Sequence, residues 1–284
     1  MRLIIAKIFR LLFRIKYFKS KHFGIHQKIF APLNLFNGIT QTIKYKDLNL
    51  TLNIDDWIQE NIYFLGEYES IELKTLKLFL KKDSVFIDIG ANFGLYTLNA
   101  SNLINETGQI IAFEPFSKSF SSLKNNLLIN KLNKVTIENI AIGECDGTIN
   151  LFYNKEDRNL GMVSTTPLNK GFIENVSITS FDNYLKNTSN IINSIDLIKI
   201  DVEGSELSVL KGMKKSLIKF SPSILIEILD INGKENMNAI ESFLNKFGYE
   251  KFYINNEGFV SKKETNSNRF NYIFSKKTIS DINN

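Results

Sequence analysis

The chain reads as an α/β protein built on an open, mostly parallel sheet with helices on both faces. Two observations predict this. Short apolar runs, VFIDIG (85–90), IIAFEP (110–115), IDLIKIDVEG (195–204) and SILIEIL (223–229), have the length and the Ile/Val/Phe content of strands buried on both faces. Between them lie stretches of helical periodicity, and this alternation is the signature of a parallel sheet covered by its crossover helices. Composition agrees: 284 residues, 43% apolar and 23% charged, suit one large domain plus an appendage.

The elements follow in order. Residues 1–45 form a basic leader, MRLIIAKIFRLLFRIKYFKSKHF at its start, with Leu3, Ile4, Ile8, Leu11, Leu12 and Ile15 at helical spacing. Its apolar runs are broken by a cation every few residues, which excludes a secretory signal and a membrane span. Residues 1–46 carry ten Lys/Arg and no acid, and removing those ten from the 35 basic residues leaves 25 against 30 acids in 47–284. Such a leader suits an interfacial helix of residues 1–30 on anionic lipid, a helix packed on its own domain or on a second copy, or a targeting leader. Residues 46–284 form the main domain: a lead-in (46–82), a core (83–250) and closing strands (251–276). In the lead-in, 43–54 alternates like a hairpin, and 55–66 and 69–80 read as short helices. In the core, 117–130, 205–218 and 235–247 read as helices, 135–143 as a third strand, and 147–180 as a β-rich insertion. The last two strands are expected to add an antiparallel edge.

Composition also limits the chemistry. One cysteine, Cys145, rules out a disulfide scaffold and fits the cytoplasm. The only histidines, His22 and His26, lie in the leader, so a general base in the main domain must be a carboxylate, lysine or tyrosine. The acidic main domain argues against binding nucleic acid over its whole face.

Open α/β sheets bind ligands beyond the carboxyl ends of their strands. Asp88-Ile-Gly90-Ala-Asn92-Phe-Gly94 places glycines where a strand turns into a helix, but in D-x-G-x-x-x-G rather than the dinucleotide spacing. Asp88 would repel a pyrophosphate and suits a ligand carrying an ammonium and a sulfonium. Glu114, at the next strand end, is placed to accept two ribose hydroxyls. Together they point to S-adenosylmethionine, with Asn139 and the small Ala141 near its adenine. Lys199 shares a face with Asp201 by the two-residue period. Asp201 is then the base or a metal ligand nearest the reaction, Lys199 its partner or an acceptor contact, and Lys199–Asp201 is otherwise a structural pair. Glu203 stands beside them, and Glu206 suits a helix cap. Asp201, Glu203 and Glu227 would suit Mg²⁺, although no metal site is predicted. Trp57, Tyr63 and Tyr68 are either sugar-stacking platforms or packing, and 153–171, with Arg158, Gly161 and Ser164, is either an acceptor loop or plain surface.

These residues resemble the FkbM-type S-adenosylmethionine-dependent methyltransferases. The likeness is carried by 88–97, by Phe113-Glu-Pro115, by Ser180-Phe-Asp182-Asn-Tyr184-Leu185, and by Ile198-Lys-Ile-Asp201-Val-Glu-Gly-Ser-Glu206 running into Val209-Leu-Lys-Gly212, with Gly66-Glu-Tyr68-Glu69 as a lead-in. It covers roughly 55–230. The resemblance implies a Rossmann-like class I methyltransferase that methylates an oxygen of a sugar or small hydroxylated metabolite. Catalytic roles then fall to Asp201, Lys199 and Glu203, and cofactor contacts to Glu69, Asp88, Gly90, Asn92, Gly94, Tyr96, Glu114, Asn139 and Ala141. The expected partner is a small-molecule or glycan acceptor rather than nucleic acid, with peripheral membrane contact and a homo-oligomer both open. The competing readings are a non-catalytic, membrane-docking member of the fold and a nucleic-acid methyltransferase.

Overall fold

The structure, a computed structural model, describes residues 1–154, 163, 171–189, 192–229, 235–264 and 270–283. Arg158, Gly161 and Ser164 of the expected acceptor loop lie outside them. The described residues divide into two compact units, one of Met1–Ser70 and one that begins at Ile71.

In the first unit the leader does not stand apart. Helices α1 (Arg2–Leu12), α2 (Lys16–Lys19) and α3 (His22–Ile25) run into a π-helical turn, His26–Phe30. Then come the hairpin β1 (Thr40–Tyr45) and β2 (Leu48–Asn53), as the alternation predicts, and α4 (Trp57–Leu65). Asp56 caps α4 by accepting from the Gln59 amide at 3.0 Å, and Gly66 ends it in the left-handed region. Rings bind leader to lead-in, Phe13 edge-on to Phe64 at 5.5 Å and Phe30 tilted on Phe64 at 5.4 Å, while Phe9 meets Phe30 within the leader at 4.9 Å. This is why the compact unit ends at Ser70 and not at residue 45. Trp57 stacks on His22, and Tyr63 is buried with Arg10 over its ring. Both aromatics are packing.

The second unit opens with α5 (Ser70–Phe79) and is built on an eight-stranded sheet. Its parallel centre is β3 (Val85–Ile89), β4 (Gln109–Phe113), β5 (Val135–Glu138), β9 (Leu197–Ile200) and β10 (Ser223–Glu227). A small sheet holds β6 (Ala141–Gly143), β7 (Gly147–Tyr153) and β8 (Phe172–Ser180), in the order β6-β8-β7. The closing strands are β11 (Glu250–Ile254), β12 (Val260–Ser261) and β13 (Asn271–Ser275). Across the large sheet the order is β12-β11-β13-β10-β9-β3-β4-β5, with β13 threaded antiparallel between β10 and β11.

Helices cover both faces. Helices α6 (Leu95–Ser101) and α7 (Ser117–Ile129) follow β3 and β4, and α6 lies on the Asp88 face, where Thr97 reaches that carboxylate. The opposite face carries Ile87, Ile111, Ile198 and Ile224, packed in one core with α8 (Phe181–Asn187), α9 (Glu206–Lys211), α10 (Lys214–Phe220) and α11 (Glu235–Asn245). A last helix, α12 (Ile279–Asn283), closes the described chain.

Two expected elements are each divided. The strand over 135–143 breaks into β5 and β6, which join different sheets. At the break the Asn139 amide donates to the carbonyls of Glu114 and Pro115, at 2.8 and 2.9 Å, and turns the chain out of the first sheet. The helix over 205–218 breaks into α9 and α10 at Gly212. A Cβ there would overlap the Gly143 carbonyl oxygen, so the two backbones cross in contact. Beyond it the Asp182 carboxylate accepts from the Lys215 and Ser216 amides, at 2.8 and 2.9 Å, and starts α10 afresh. Because that crossing has no room for a methyl group, Gly212→Ala is expected to cost about 3 kcal/mol. Urea unfolding tests this, and a wild-type midpoint would show that the crossing gives way.

Candidate active site

Register explains how separate strands bring their acids together. Asp88 on β3 stands beside Ala112 on β4 and Lys199 on β9, Ala112 beside Ile137 on β5, and Lys199 beside Leu225 on β10. Two residues further on, each strand presents the same face again. That step reaches Gly90, Glu114, Asn139, Asp201 and Glu227, a row at the carboxyl ends of five neighbouring strands.

The turn after β3 is built for close approach. Gly90 has φ +82°, and a Cβ there would overlap the Asp201 carbonyl oxygen. Gly94, φ +97°, begins α6, and a Cβ there would press Leu123 of α7. Asn92, between them, is itself left-handed at φ +51°. Its amide donates to Glu114 Oε2 at 2.8 Å, while the Phe116 amide donates to Oε1 at 2.9 Å. Asp88 is fully buried and accepts from the Thr97 hydroxyl at 2.6 Å on Oδ2, leaving Oδ1 buried without a partner. Asn92 Oδ1 is in the same state.

Lys199, 3% exposed, lies 2.9 Å from Asp201 Oδ2 and sits over the Tyr96 ring at 4.5 Å from its centre. After β9 the chain turns through Glu203 at φ +51° and Gly204 at φ +98°. Glu206 then accepts from the Gly204 amide at 2.7 Å and from the Asn236 amide at 3.2 Å, a cap at the start of α9.

The electrostatics are those of a crowded acidic site. Burial pushes the Asp88 carboxyl above its ordinary range, against the pull of Lys199 and the Thr97 hydroxyl, with Asp201 adding to the push. Burial likewise raises Glu114 to about 7, opposed by the Phe116 and Asn92 amides and reinforced by Asp88 and Asp201. Glu203 rises to about 7 through burial and the charges of Asp201 and Glu206. Burial also works on Asp201, but the Lys199 charge and hydrogen bonds with Glu227 and Lys199 outweigh it and hold this carboxyl low. Asp201 is thus the acid kept ionised.

Of the residues expected at the site, Asp88, Gly90, Asn92, Gly94, Tyr96, Glu114, Asn139, Lys199, Asp201 and Glu203 converge here. Ala141 opens β6 and pairs with Ile178 in the small sheet. Glu69 belongs to the first unit, at φ +45° just before α5. Sequence reasoning gave Thr97 no role at the site, although its spacing from Asp88, nine residues across one strand–helix turn, carried the signal. Lys199 and Asp201 are paired at 2.9 Å, as the structural and the catalytic readings of them both expect.

The Methyltransferase FkbM domain family model matches residues 88–251, which holds every residue of this row. The chain belongs to the FkbM methyltransferase family. It is 27% identical over 168 residues to Methyltransferase 1 of Beauveria bassiana, covering 53% of this chain and 67% of that one. With Methyltransferase sdnD of Sordaria araneosa it shares 26% over 198 residues, covering 60% and 75%. A solved FkbM methyltransferase from Methylobacillus flagellatus superposes with a TM-score of 0.49 at 15% identity, over 76% of this chain and about half, 52%, of that chain. Membership makes the chain a methyltransferase and implies S-adenosylmethionine as its methyl donor.

The residues present fit that donor. Asp88 Oδ1 and Asn92 Oδ1 are buried without partners, and among the described residues of this row the carboxylates outnumber the Lys199 ammonium, which suits a ligand with an ammonium, a sulfonium and two ribose hydroxyls. The raised acids give a testable sign. An acid whose folded value exceeds its unfolded value contributes most stability below the unfolded value and loses it as pH rises through the folded one. Stability of the ligand-free protein should therefore fall as pH climbs from about 4.5 to about 7. Glu203→Gln should flatten part of that fall in urea unfolding curves taken across the window, whereas an unchanged slope would mean that Glu203 titrates normally.

Proposed function

We propose that this chain transfers a methyl group from S-adenosylmethionine to a hydroxyl oxygen of a sugar or small hydroxylated metabolite. The observation that carries the reading is Asp201, held ionised by Lys199 at 2.9 Å in the same row as Gly90 and Glu114. S-adenosylmethionine, when bound, supplies an electrophilic methyl carbon on a sulfonium whose sulfur leaves with the bonding pair. Asp88 and Asn92, whose Oδ1 atoms lack partners, would hold its amino-acid end beside the close turn at Gly90, and Glu114 would accept from its ribose. Asn139, tied to the Glu114 carbonyl, would support the edge of the site toward the adenine.

Most of the rate comes from holding acceptor oxygen and methyl carbon in line. What chemistry remains is one proton. As the oxygen–carbon bond forms, the acceptor hydroxyl becomes acidic and its proton passes to Asp201. A carboxylate that is kept ionised in a poorly solvated site can take that proton without first losing one of its own. Lys199 keeps it so, and the Tyr96 face covers the ammonium. Glu203 supports the acceptor side of the same turn. The family leaves the acceptor unnamed. An oxygen acceptor is supported by the Asp201 carboxylate available to take a hydroxyl proton, and a small one rather than a polyanion by the excess of acids over bases in 47–284.

Two measurements test this. Calorimetric titration with S-adenosylhomocysteine should show one saturable site, weakened roughly tenfold to a hundredfold in Glu114→Ala by loss of its charge-assisted hydrogen bonds. Absence of binding by the folded wild type would sink the reading. With the donor site intact, Asp201→Asn should keep that affinity and lose on the order of a hundredfold or more in turnover of labelled methyl onto hydroxylated acceptors. Equal turnover would remove Asp201 from the chemistry.

A further inference from the structure

The first unit carries an apolar face that its own core leaves uncovered. On its inner side α1 presents Ala6 and Phe9, continued by Phe13 just past its end, and these meet the Phe30 and Phe64 rings. On the opposite side Ile4, Ile8 and Leu11 are 63%, 51% and 60% exposed. At helical spacing these three fall within an arc of about 60°. Ile15, Tyr17 and Phe23 continue the exposed apolar surface along the next residues. A helix with one apolar stripe would be accounted for by packing, but this one has two, and only one is buried.

The charge around the uncovered stripe has a single sign. Residues 1–46 hold ten Lys/Arg and no acid, and Arg2, Lys7, Arg14, Lys16 and Lys21 are exposed. Lys19, by contrast, already has a carboxylate, Glu67. A second copy docked on the same stripe would bring its own five exposed cations against these five, so self-association through it works against its own charge. A soluble polyanion would use the cations and leave Ile4, Ile8 and Leu11 facing water. A bilayer with anionic headgroups satisfies both, with aliphatic side chains sinking below the phosphates and cations resting at their level.

We propose that α1 and the residues after it dock the protein peripherally on an anionic phospholipid surface. Docking is peripheral because no helix among the described residues is long and apolar enough to cross a membrane. The inference is independent of the methyl-transfer reading, since none of these side chains belongs to the row around Asp201.

The test is flotation of the full chain with vesicles of phosphatidylcholine alone and of phosphatidylcholine mixed with phosphatidylglycerol. The protein should float with the mixed vesicles only, and should be released at roughly 1 M salt, where the screening length is about 3 Å. Ile8→Asp with Leu11→Asp should reduce binding about tenfold or more. Lys7→Ala with Arg14→Ala should cost roughly fivefold per cation removed. Both variants alter exposed side chains, so their thermal midpoints and S-adenosylhomocysteine binding should match wild type. Failure to float with anionic vesicles would overturn the proposal. So would full binding by the Ile8/Leu11 variant, which would leave charge alone at work. Self-association of the wild type in sedimentation, abolished by that variant, would assign the stripe to a second copy instead.

Discussion

The active-site end of the sheet depends on one buried ammonium. Lys199 stands in register beside Asp88, pairs with Asp201, and is covered by the Tyr96 ring. Its charge draws down Asp88, Asp201 and Glu203 together. Without it, burial would neutralise the acids or force the strand ends apart. Breaking a buried pair by removing one partner costs about 3–5 kcal/mol, because the remaining charge loses its compensation. Here several carboxylates would be left at once. The pairing therefore serves both roles open for Lys199–Asp201, the structural one and, under the proposed function, the catalytic one. The pair that lets these strand ends coexist also keeps one carboxylate ionised.

One lysine does not balance the site completely, and the imbalance is informative. Glu114 and Glu203 are raised to about 7, and Asp88 is raised while buried with an unpartnered oxygen. A protein optimised for stability alone would not keep three such groups within reach of one another. A cationic ligand converts this cost into affinity, because it favours the ionised form of each acid that it meets. Binding then stabilises the fold in proportion to ligand concentration over its dissociation constant. It also releases the protons that burial had retained on these acids.

Much of this was legible in the sequence. Short apolar runs located β3, β4, β9 and β10, with β3 within a residue and the run at 195–204 extending past both ends of β9, because strands buried on both faces need continuous apolar side chains. The acids and glycines that end them were visible as exceptions to those runs. The divided elements were not. Periodicity carries 205–218 as one helix, since nothing local marks Gly212 as the point where it crosses the Gly143 carbonyl 69 residues back. Asn139 stops a strand by bonding carbonyls two dozen residues earlier. Both are contacts at long sequence separation, which no window of neighbouring residues contains. The leader was ambiguous for another reason. Its aliphatic and aromatic residues both recur at helical spacing, and only the fold separates the buried Phe13 from the exposed Ile8.

The family stretches also divide by context and not by residue type. Asp182 and Asp201 are both aspartates of the segments that resemble the family. Asp182 accepts from two amides and the Ser216 hydroxyl at the start of α10, and Ser180 caps α8 beside it. Tyr184 donates to Glu138 at the end of β5. The segment from Ser180 to Tyr184 thus fastens α8 to α10 on one side and to the central sheet on the other. Both Asp182 oxygens, the Ser180 and Tyr184 hydroxyls and the Asn183 side-chain amide nitrogen are used by the fold. In the Asp201 segment the backbone is left-handed at Glu203, and in the facing turn Asn92 is left-handed with its side-chain oxygen unpartnered. Strain and unsatisfied acceptors are retained where a ligand can repay them, and they are absent from a joint that only has to hold. That difference, more than membership of a motif, separates the residues proposed to bind and react from those that hold the fold.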